Sequence, residues 1–518
     1  MAFHCMNCNG SMVFDVGTQK MRCLHCDSVR DPSEFVVRDQ GIDMGEEASA
    51  SGMARFTCPS CGAELVGTDD SLVGFCPYCG GQDMVSTNTG APEPERLIPF
   101  QVDKERCIEE WRSFAGKVPY LPAELKDPAY VERFCGIYMP FWRFDVRFGA
   151  ARMKGSYHTV RGNLEIIEYA DIDVGVNGIY QGISYDASSY LSDDLAERTQ
   201  PFDLQKERPF SPAYLAGFYA DASTVGEEHY HDAVENLAAE DMLIAATREV
   251  RSETPFELDN DPSMIDATIT GAHQVLWPMW FLTWRKGDRV AYGVVNGESG
   301  KIVSDLPLDL RQFAIGCAVA SAAIFVLLEL LVQPTPMVTV LVGLFSALLM
   351  AFGLKRAAKQ EWEHQMRLDE DAAKRRHGRA RTRVSGTAIG IMIVLFAILM
   401  VLVTGDSFAF SETLVVGLLR ALVPVITIGY VVYVGINVAR WHLKSHNNPA
   451  IASYLTLLVA SAGCALVAYW DPVNDGWFYL ADAACIVALM VAAALLIRAY
   501  NLSTMRPAPR LFDREEVQ

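Results

Sequence analysis

The feature that most constrains this chain is a cysteine pattern that occurs twice. Cys5/Cys8 and Cys23/Cys26 are two Cys-x-x-Cys pairs with fourteen residues between them, and Cys58/Cys61 and Cys76/Cys79 repeat the arrangement with the same gap. Eight of the chain's 13 cysteines fall into these pairs, and duplication at fixed spacing is a ligand pattern. Two such turns present four thiolates to one tetrahedral Zn²⁺. Asn9, Gly62, Gly80 and Gly81 follow the cysteines where the backbone must turn tightly. About thirty residues cannot bury a useful core, so metal binding would supply the folding energy. Each set therefore reads as a Cys₄ zinc ribbon holding one structural ion: ribbon 1 within residues 1–40 and ribbon 2 within 55–85. His4 and His25 flank the first set and compete with its cysteines as ligands. A redox role would need a βαβ context that is missing here. Four thiolates leave zinc no open position, which argues against catalysis at the metal.

Ribbons of this kind also occur in nucleic-acid-binding proteins, where Lys and Arg neutralise phosphates. Charge opposes that use here. Residues 1–90 hold five basic and twelve acidic side chains; residues 1–310 hold 26 Lys+Arg against 49 Asp+Glu, a balance of −23. Residues 311–518 hold 18 against 14, a balance of +4, which completes the −19 of the whole chain. Phe56, Phe75 and Tyr78 are aromatics that could stack on bases, but a small ribbon core needs them too. Protein binding is the expected use of the ribbons and nucleic acid is disfavoured.

Two linkers, 40–54 and "STNTGAPEPERL" (86–97), set off an α+β domain over 97–310. Ile108, Trp111 and Phe114 predict a helix over 103–115, and Val234, Leu237, Met242 and Leu243 predict another over 227–250. Residues 136–155 and 275–303 read as aromatic, β-branched strands that share an apolar run, a Pro and an aromatic pair. Asn296-Gly297 predicts a hairpin turn. "VNGESGK" (295–301) departs from the phosphate loop, because position 295 is Val and position 302 is Ile. In "EEHYH" (227–231), Glu227, Glu228, His229 and His231 offer metal-ligand types, but a solvated helix start capped by Asp221, Ser223 or Thr224 is the default. No nucleophile–base arrangement stands out, so no catalytic residue is expected.

The double ribbon, "YMPFW" (138–142), "YLAGFYAD" (214–221) and "PMW" followed by "VNGESGK" resemble bacterial membrane-anchored double-zinc-ribbon (TFIIB-type zinc-ribbon-like) proteins over about residues 56–310. The resemblance implies a non-enzymatic membrane scaffold or recruiter, and some members are linked to PspA-type envelope-stress systems.

Hydropathy of the last 200 residues predicts a six-helix transmembrane domain over 311–500, with spans at 312–333, 337–354, 386–404, 413–439, 451–470 and 478–497 and a cytosolic tail at 501–518. Residues 1–30 lack the apolar core of a signal peptide, so insertion would rest on these helices. Lys and Arg cluster in 355–384, 440–450 and the tail. That places both termini in the cytoplasm of a multi-pass inner-membrane protein, with reduced thiols and the basic loop on lipid headgroups. Within the spans, Arg420 could pair with Glu329 or Asp482 at matched depth.

The functional expectation is a non-enzymatic membrane adaptor that recruits cytosolic proteins through two structural zinc ribbons. The alternatives are a transporter or channel with a ribbon regulatory domain, and a membrane-tethered nucleic-acid factor. Homo-oligomerisation stays open at this stage.

Overall fold

The computed structural model describes residues 3–35, 53–68, 76–81, 84–87, 94–331 (less 150, 163, 175–177, 192, 254 and 260), 339, 342–343 and 448–507 (less 471). The chain divides into two compact units. One comprises Met1–Lys117 with Ala123–Asp305 and Pro507–Gln518, the other Val118–Pro122 with Leu306–Arg506.

The first unit is built on two long strands. Strands β1 (Met12–Asp15), β2 (Lys20–Cys23) and β3 (Val29–Arg30) form the small sheet of ribbon 1. Then come β4 (Met53–Thr57), β5 (Glu64–Thr68), β6 (Val85–Thr87) and β7 (Arg96–Leu97). Helix α1 (Lys104–Lys117) buries Cys107, Ile108, Trp111 and Ala115, a stripe at helical spacing. The Asp103 carboxylate accepts the Arg106 N–H at 2.8 Å at its start. After a single helical turn, α2 (Pro128–Val131), strand β8 (Cys135–Phe148) leads into a long hairpin, β9 (Ala151–Arg161) and β10 (Leu164–Val174), and returns as β11 (Ile179–Asp186). Helix α3 (Asp193–Thr199), the short strands β12 (Arg208–Pro209) and β13 (Tyr219–Asp221), helix α4 (His231–Glu253) and strand β14 (Glu257–Leu258) follow. Strands β15 (Ala267–Lys286), β16 (Arg289–Asn296) and β17 (Ile302–Ser304) complete the unit.

The two segments sharing the Pro–aromatic pattern are direct neighbours: β15 runs antiparallel to β8, with Trp277 opposite Met139 and Pro278 opposite Tyr138. Both are buried on both faces here, which accounts for their near-continuous apolar runs. On one face Ile137, Met139, Phe141, Val275, Trp277, Met279 and Phe281 pack with Leu195 and Ala196 of α3. Farther along, Phe144, Val146 and Phe148 meet Val234, Ala238, Leu243 and Ala246 of α4. The opposite face carries an aromatic cluster of Phe100, Tyr138, Phe218 and Trp280, with Phe100 stacked on Phe218 at 4.4 Å.

The predicted turn at Asn296 is present between β16 and β17, and Asn296 does more than turn. Fully buried, its Oδ1 accepts the N–H groups of Glu298 (2.8 Å) and Ser299 (2.9 Å), and its Nδ2 donates to the Thr199 carbonyl at 2.9 Å. Gly297 then passes so close to Phe100 that an added Cβ would lie 2.6 Å from its ring. "VNGESGK" is thus a structural hub.

The second unit contributes α5 (Leu310–Leu331), α6 (Asn448–Trp470) and α7 (Gly476–Thr504). Helices α6 and α7 pack antiparallel through small residues: the Ser453 hydroxyl donates to the Ala492 carbonyl at 2.9 Å, and Cys464, Ala481 and Cys485 form a buried cluster. The six-helix transmembrane bundle predicted from hydropathy is contradicted, and the multi-pass inner-membrane placement with it. Among the described residues one helical segment, Gly476–Leu502, is long and apolar enough to cross a bilayer. An apolar run specifies a helix but not its surroundings, because helices packed on one another need the same residues. The predicted spans 386–404 and 413–439 and almost all of 337–354 lie outside the described residues, as do Arg420 and the Glu329 side chain. Asp482 is paired with Thr339, whose hydroxyl lies 3.3 Å from its carboxylate.

Candidate metal centres

All four cysteine turns have one geometry. In ribbon 1 the Cys5 N–H donates to the Gly10 carbonyl (2.8 Å) and the Asn9 N–H returns to the Cys5 carbonyl (2.7 Å). Cys23 does the same with Ser28 and Asp27, Cys58 with Ala63 and Gly62, and Cys76 with Gly81 and Gly80. The residue after the second cysteine of each turn must adopt a left-handed backbone: φ is 58° at Asn9, 56° at Asp27, 72° at Gly62 and 70° at Gly80. Glycine meets that demand without a Cβ penalty, and Asn and Asp tolerate it best among the rest. Asp27 is the member that sequence reading missed.

These turns gather the eight predicted cysteines into two groups, Cys5/Cys8/Cys23/Cys26 and Cys58/Cys61/Cys76/Cys79, with the sulfurs of each group within 4.8 Å of one another. Sulfur–sulfur distances include 3.6 Å (Cys5–Cys26) and 3.5 Å (Cys8–Cys23) in the first, and 3.6 Å (Cys58–Cys79) and 3.7 Å (Cys61–Cys76) in the second. Four sulfurs bound tetrahedrally at ~2.3 Å from zinc would be about 3.8 Å apart, so both groups fit the ion. Backbone N–H groups also point at the thiols: Asn7 on Cys5 (3.4 Å), His25 on Cys23 (3.4 Å) and Gly81 on Cys79 (3.3 Å). The Asn7 contact is the largest influence holding the Cys5 thiol down to about 6, and thiolate is the form that binds metal. His4 and His25 belong to neither group. Two Cys₄ centres able to hold metal are therefore present.

Their surroundings differ. All four cysteines of ribbon 2 are buried, whereas in ribbon 1 Cys8 and Cys26 are exposed. Ribbon 2 is part of the large sheet: β4 pairs with β5, β5 with β13, and β13 with β8. The Tyr78 ring, 1% exposed, packs against Tyr190 and Phe281. Hydroxyls of Tyr292 and Tyr190 donate to the carbonyls of Tyr78 and Gly62, both at 2.6 Å. Thr283 donates to the Pro77 carbonyl, and the Arg285 guanidinium to that of Cys79 at 3.0 Å. Burial raises the Tyr78 phenol well above its ordinary range, so it stays neutral.

Ribbon 1 docks at its other end, and among the described residues nothing covers its metal tip. The Phe14 N–H donates to the Ala216 carbonyl (3.0 Å), and its ring meets Tyr214 edge-on at 5.0 Å. The Ser211 hydroxyl donates to the Pro32 carbonyl at 3.0 Å. "YLAGFYAD" thus holds both ribbons, since Tyr214–Phe218 receive the first and Tyr219–Asp221 pair with the second. At the tip, Met6 is 85% and Leu24 63% exposed.

The "EEHYH" stretch forms no metal-ligand group among the described residues. His231 opens α4 with its ring edge-on to Phe144. The expected caps are engaged elsewhere: Asp221 with Ser188, and Thr224 with Ser189.

The chain is 24% identical over 346 residues to the uncharacterized protein YdjG of Bacillus subtilis, an alignment covering 64% of this chain and 97% of that protein. No family model matches the chain. No solved structure matches it either.

Proposed function

We propose that this chain is a non-enzymatic adaptor that binds partner proteins through the tip of ribbon 1, while ribbon 2 serves as a metal staple inside the sheet. The observation that carries this reading is the contrast between the tips. Each tip has the same backbone, yet ribbon 2 buries Tyr78 in its own chain whereas ribbon 1 displays Met6 and Leu24 to solvent. Exposed apolar side chains on a rigid, metal-fixed turn suit a protein contact. Four-thiolate centres support a structural role, and the balance of −23 over residues 1–310 favours basic or mixed-charge partners over nucleic acid. Segment Gly476–Leu502 is the described helix that could tether such an adaptor to a membrane. Components of PspA-type envelope-stress systems are the partners the family resemblance suggests.

Affinity purification of the full chain carrying Met6→Asp and Leu24→Asp tests the reading. Both side chains are exposed, so zinc content should stay near two ions per chain while partner recovery falls at least about tenfold. Undiminished recovery of the same partners would refute ribbon 1 as the contact.

A further inference from the structure

The two metal centres share a sulfur geometry and differ in access. In ribbon 2 the sulfurs of Cys58 and Cys79 lie 3.6 Å apart, and those of Cys61 and Cys76 3.7 Å apart. The matching pairs of ribbon 1, Cys5 with Cys26 and Cys8 with Cys23, stand at 3.6 and 3.5 Å. All four cysteines of ribbon 2 are buried. Among the described residues of ribbon 1, Cys8 and Cys26 are exposed while Cys5 and Cys23 are buried. Each close pair there joins one solvent-facing thiol to one sheltered thiol, and each pair bridges the two turns.

That arrangement suits a two-electron thiol oxidation. A dissolved oxidant reaches the exposed member of a pair first. A second thiolate close to it captures the product as a disulfide before it climbs to an irreversible acid. Ribbon 2 has the same close pairs but no exposed sulfur at which the reaction can begin.

We propose that Cys8 and Cys26 are oxidation sites for hydrogen peroxide, and that their oxidation empties the centre of ribbon 1 alone. The Cys26 thiolate attacks one peroxide oxygen and the O–O bond breaks. A sulfenic acid forms, and the departing hydroxide takes a proton from solvent. The Cys5 thiolate then attacks the Cys26 sulfur. The S–S bond forms, the S–O bond breaks, and the second hydroxide is protonated to water. Two thiolates have given up two electrons, and one peroxide has become two waters. Cys8 and Cys23 follow the same course with a second peroxide. One disulfide leaves two thiolates, too few for a closed four-sulfur centre, and the metal-binding energy that holds the ribbon is lost with them. Exchange with a small thiol reverses the bond, so the centre can be reloaded.

The full chain, loaded with two zinc ions, treated with excess hydrogen peroxide and desalted, tests the assignment. Metal analysis should find one ion retained per chain, against two in the untreated chain. Loss from ribbon 1 should be at least about tenfold faster than loss from ribbon 2. Peptide mapping should find disulfides that include Cys8 or Cys26, led by Cys5–Cys26 and Cys8–Cys23, with the ribbon 2 cysteines still reduced. Dithiothreitol followed by zinc should restore the second ion. A variant carrying Cys5→Ser and Cys8→Ser holds zinc at ribbon 2 only and should lose none of it to the same treatment. If that variant fails to fold, mapping of the unaltered chain decides. Retention of both ions, equal loss from the two centres, or oxidation of ribbon 1 only to sulfinic and sulfonic acids would overturn the assignment.

Discussion

Loading the full chain with two zinc ions and then challenging it with excess chelator should release the metal in two phases of very different rate. Ribbon 1 has two of its four ligands exposed, so a chelator reaches its sulfurs without unfolding anything. Ribbon 2 has none exposed and must first detach from the sheet. That opening unpacks Tyr78, whose burial at ~25 cal/mol per Å² over ~150 Å² contributes about 4 kcal/mol. It also breaks the four hydrogen bonds received by the carbonyls of Gly62, Pro77, Tyr78 and Cys79, at about 1 kcal/mol each. The sum, about 8 kcal/mol, slows release by roughly a millionfold, and half of it still separates the phases by about a thousandfold. A chromogenic chelator followed by stopped flow, then by hours of manual sampling, reads both phases. Cys5→Ser with Cys8→Ser should delete the fast one, and Cys58→Ser with Cys61→Ser should delete the slow one and destabilise the sheet. Release of both ions at one rate, or faster release from ribbon 2, would refute the claim that burial distinguishes the centres.

Other expectations follow from single residues. Asn296→Ala removes a buried donor and acceptor at once and should cost about 3 kcal/mol, read as a lower urea midpoint with unchanged slope. Asp27→Gly removes a side chain from a left-handed position and should stabilise metal-loaded ribbon 1 by about 0.5–1 kcal/mol, whereas Gly62→Val should destabilise ribbon 2 by more than that; competition with a zinc chelator measures both. The full chain should show no oligonucleotide binding at ~0.15 M salt by fluorescence anisotropy, and tight, salt-sensitive binding would contradict the charge argument.

What could be read from the sequence was local. The cysteine spacing specifies its turn within six residues, so all eight thiols could be grouped without knowing the fold. Helix α1 was equally accessible, because Ile108, Trp111 and Phe114 recur at helical spacing. Long-range placement was not. Nothing near Glu64–Thr68 says that β5 will pair with Tyr219–Asp221, some 150 residues on. The polar cleft lined by Glu95, Arg96, Arg143, Gln181, Glu207 and His273 draws on five separated segments and on two register relations, neither visible in a linear pattern. The six-helix bundle was overturned for a related reason. Hydropathy measures what a helix can tolerate around it, and the packing of α6 on α7 through Ser453, Cys464 and Ala481 was beyond its reach.

The duplication itself shows how one motif can take two roles. Both ribbons use the same hydrogen-bonded turn with a left-handed position after its second cysteine, so the turn itself does not distinguish them. The distinction lies in the two residues between the cysteines. Pro77-Tyr78 give ribbon 2 a large aromatic that the sheet buries, and Tyr292 and Thr283 are placed to bond the carbonyls behind it. Met6-Asn7 and Leu24-His25 give ribbon 1 side chains that nothing among the described residues of the first unit covers. Transplanting the aromatic should therefore not transplant the role, because no pocket awaits it among the described residues. A Met6→Pro, Asn7→Tyr variant of ribbon 1 should keep its zinc and its fast release, and Asn7→Tyr should expose its ring to quenching by acrylamide. Slow metal release from that variant would show that the turn sequence, and not the sheet behind it, sets the lability of the ion.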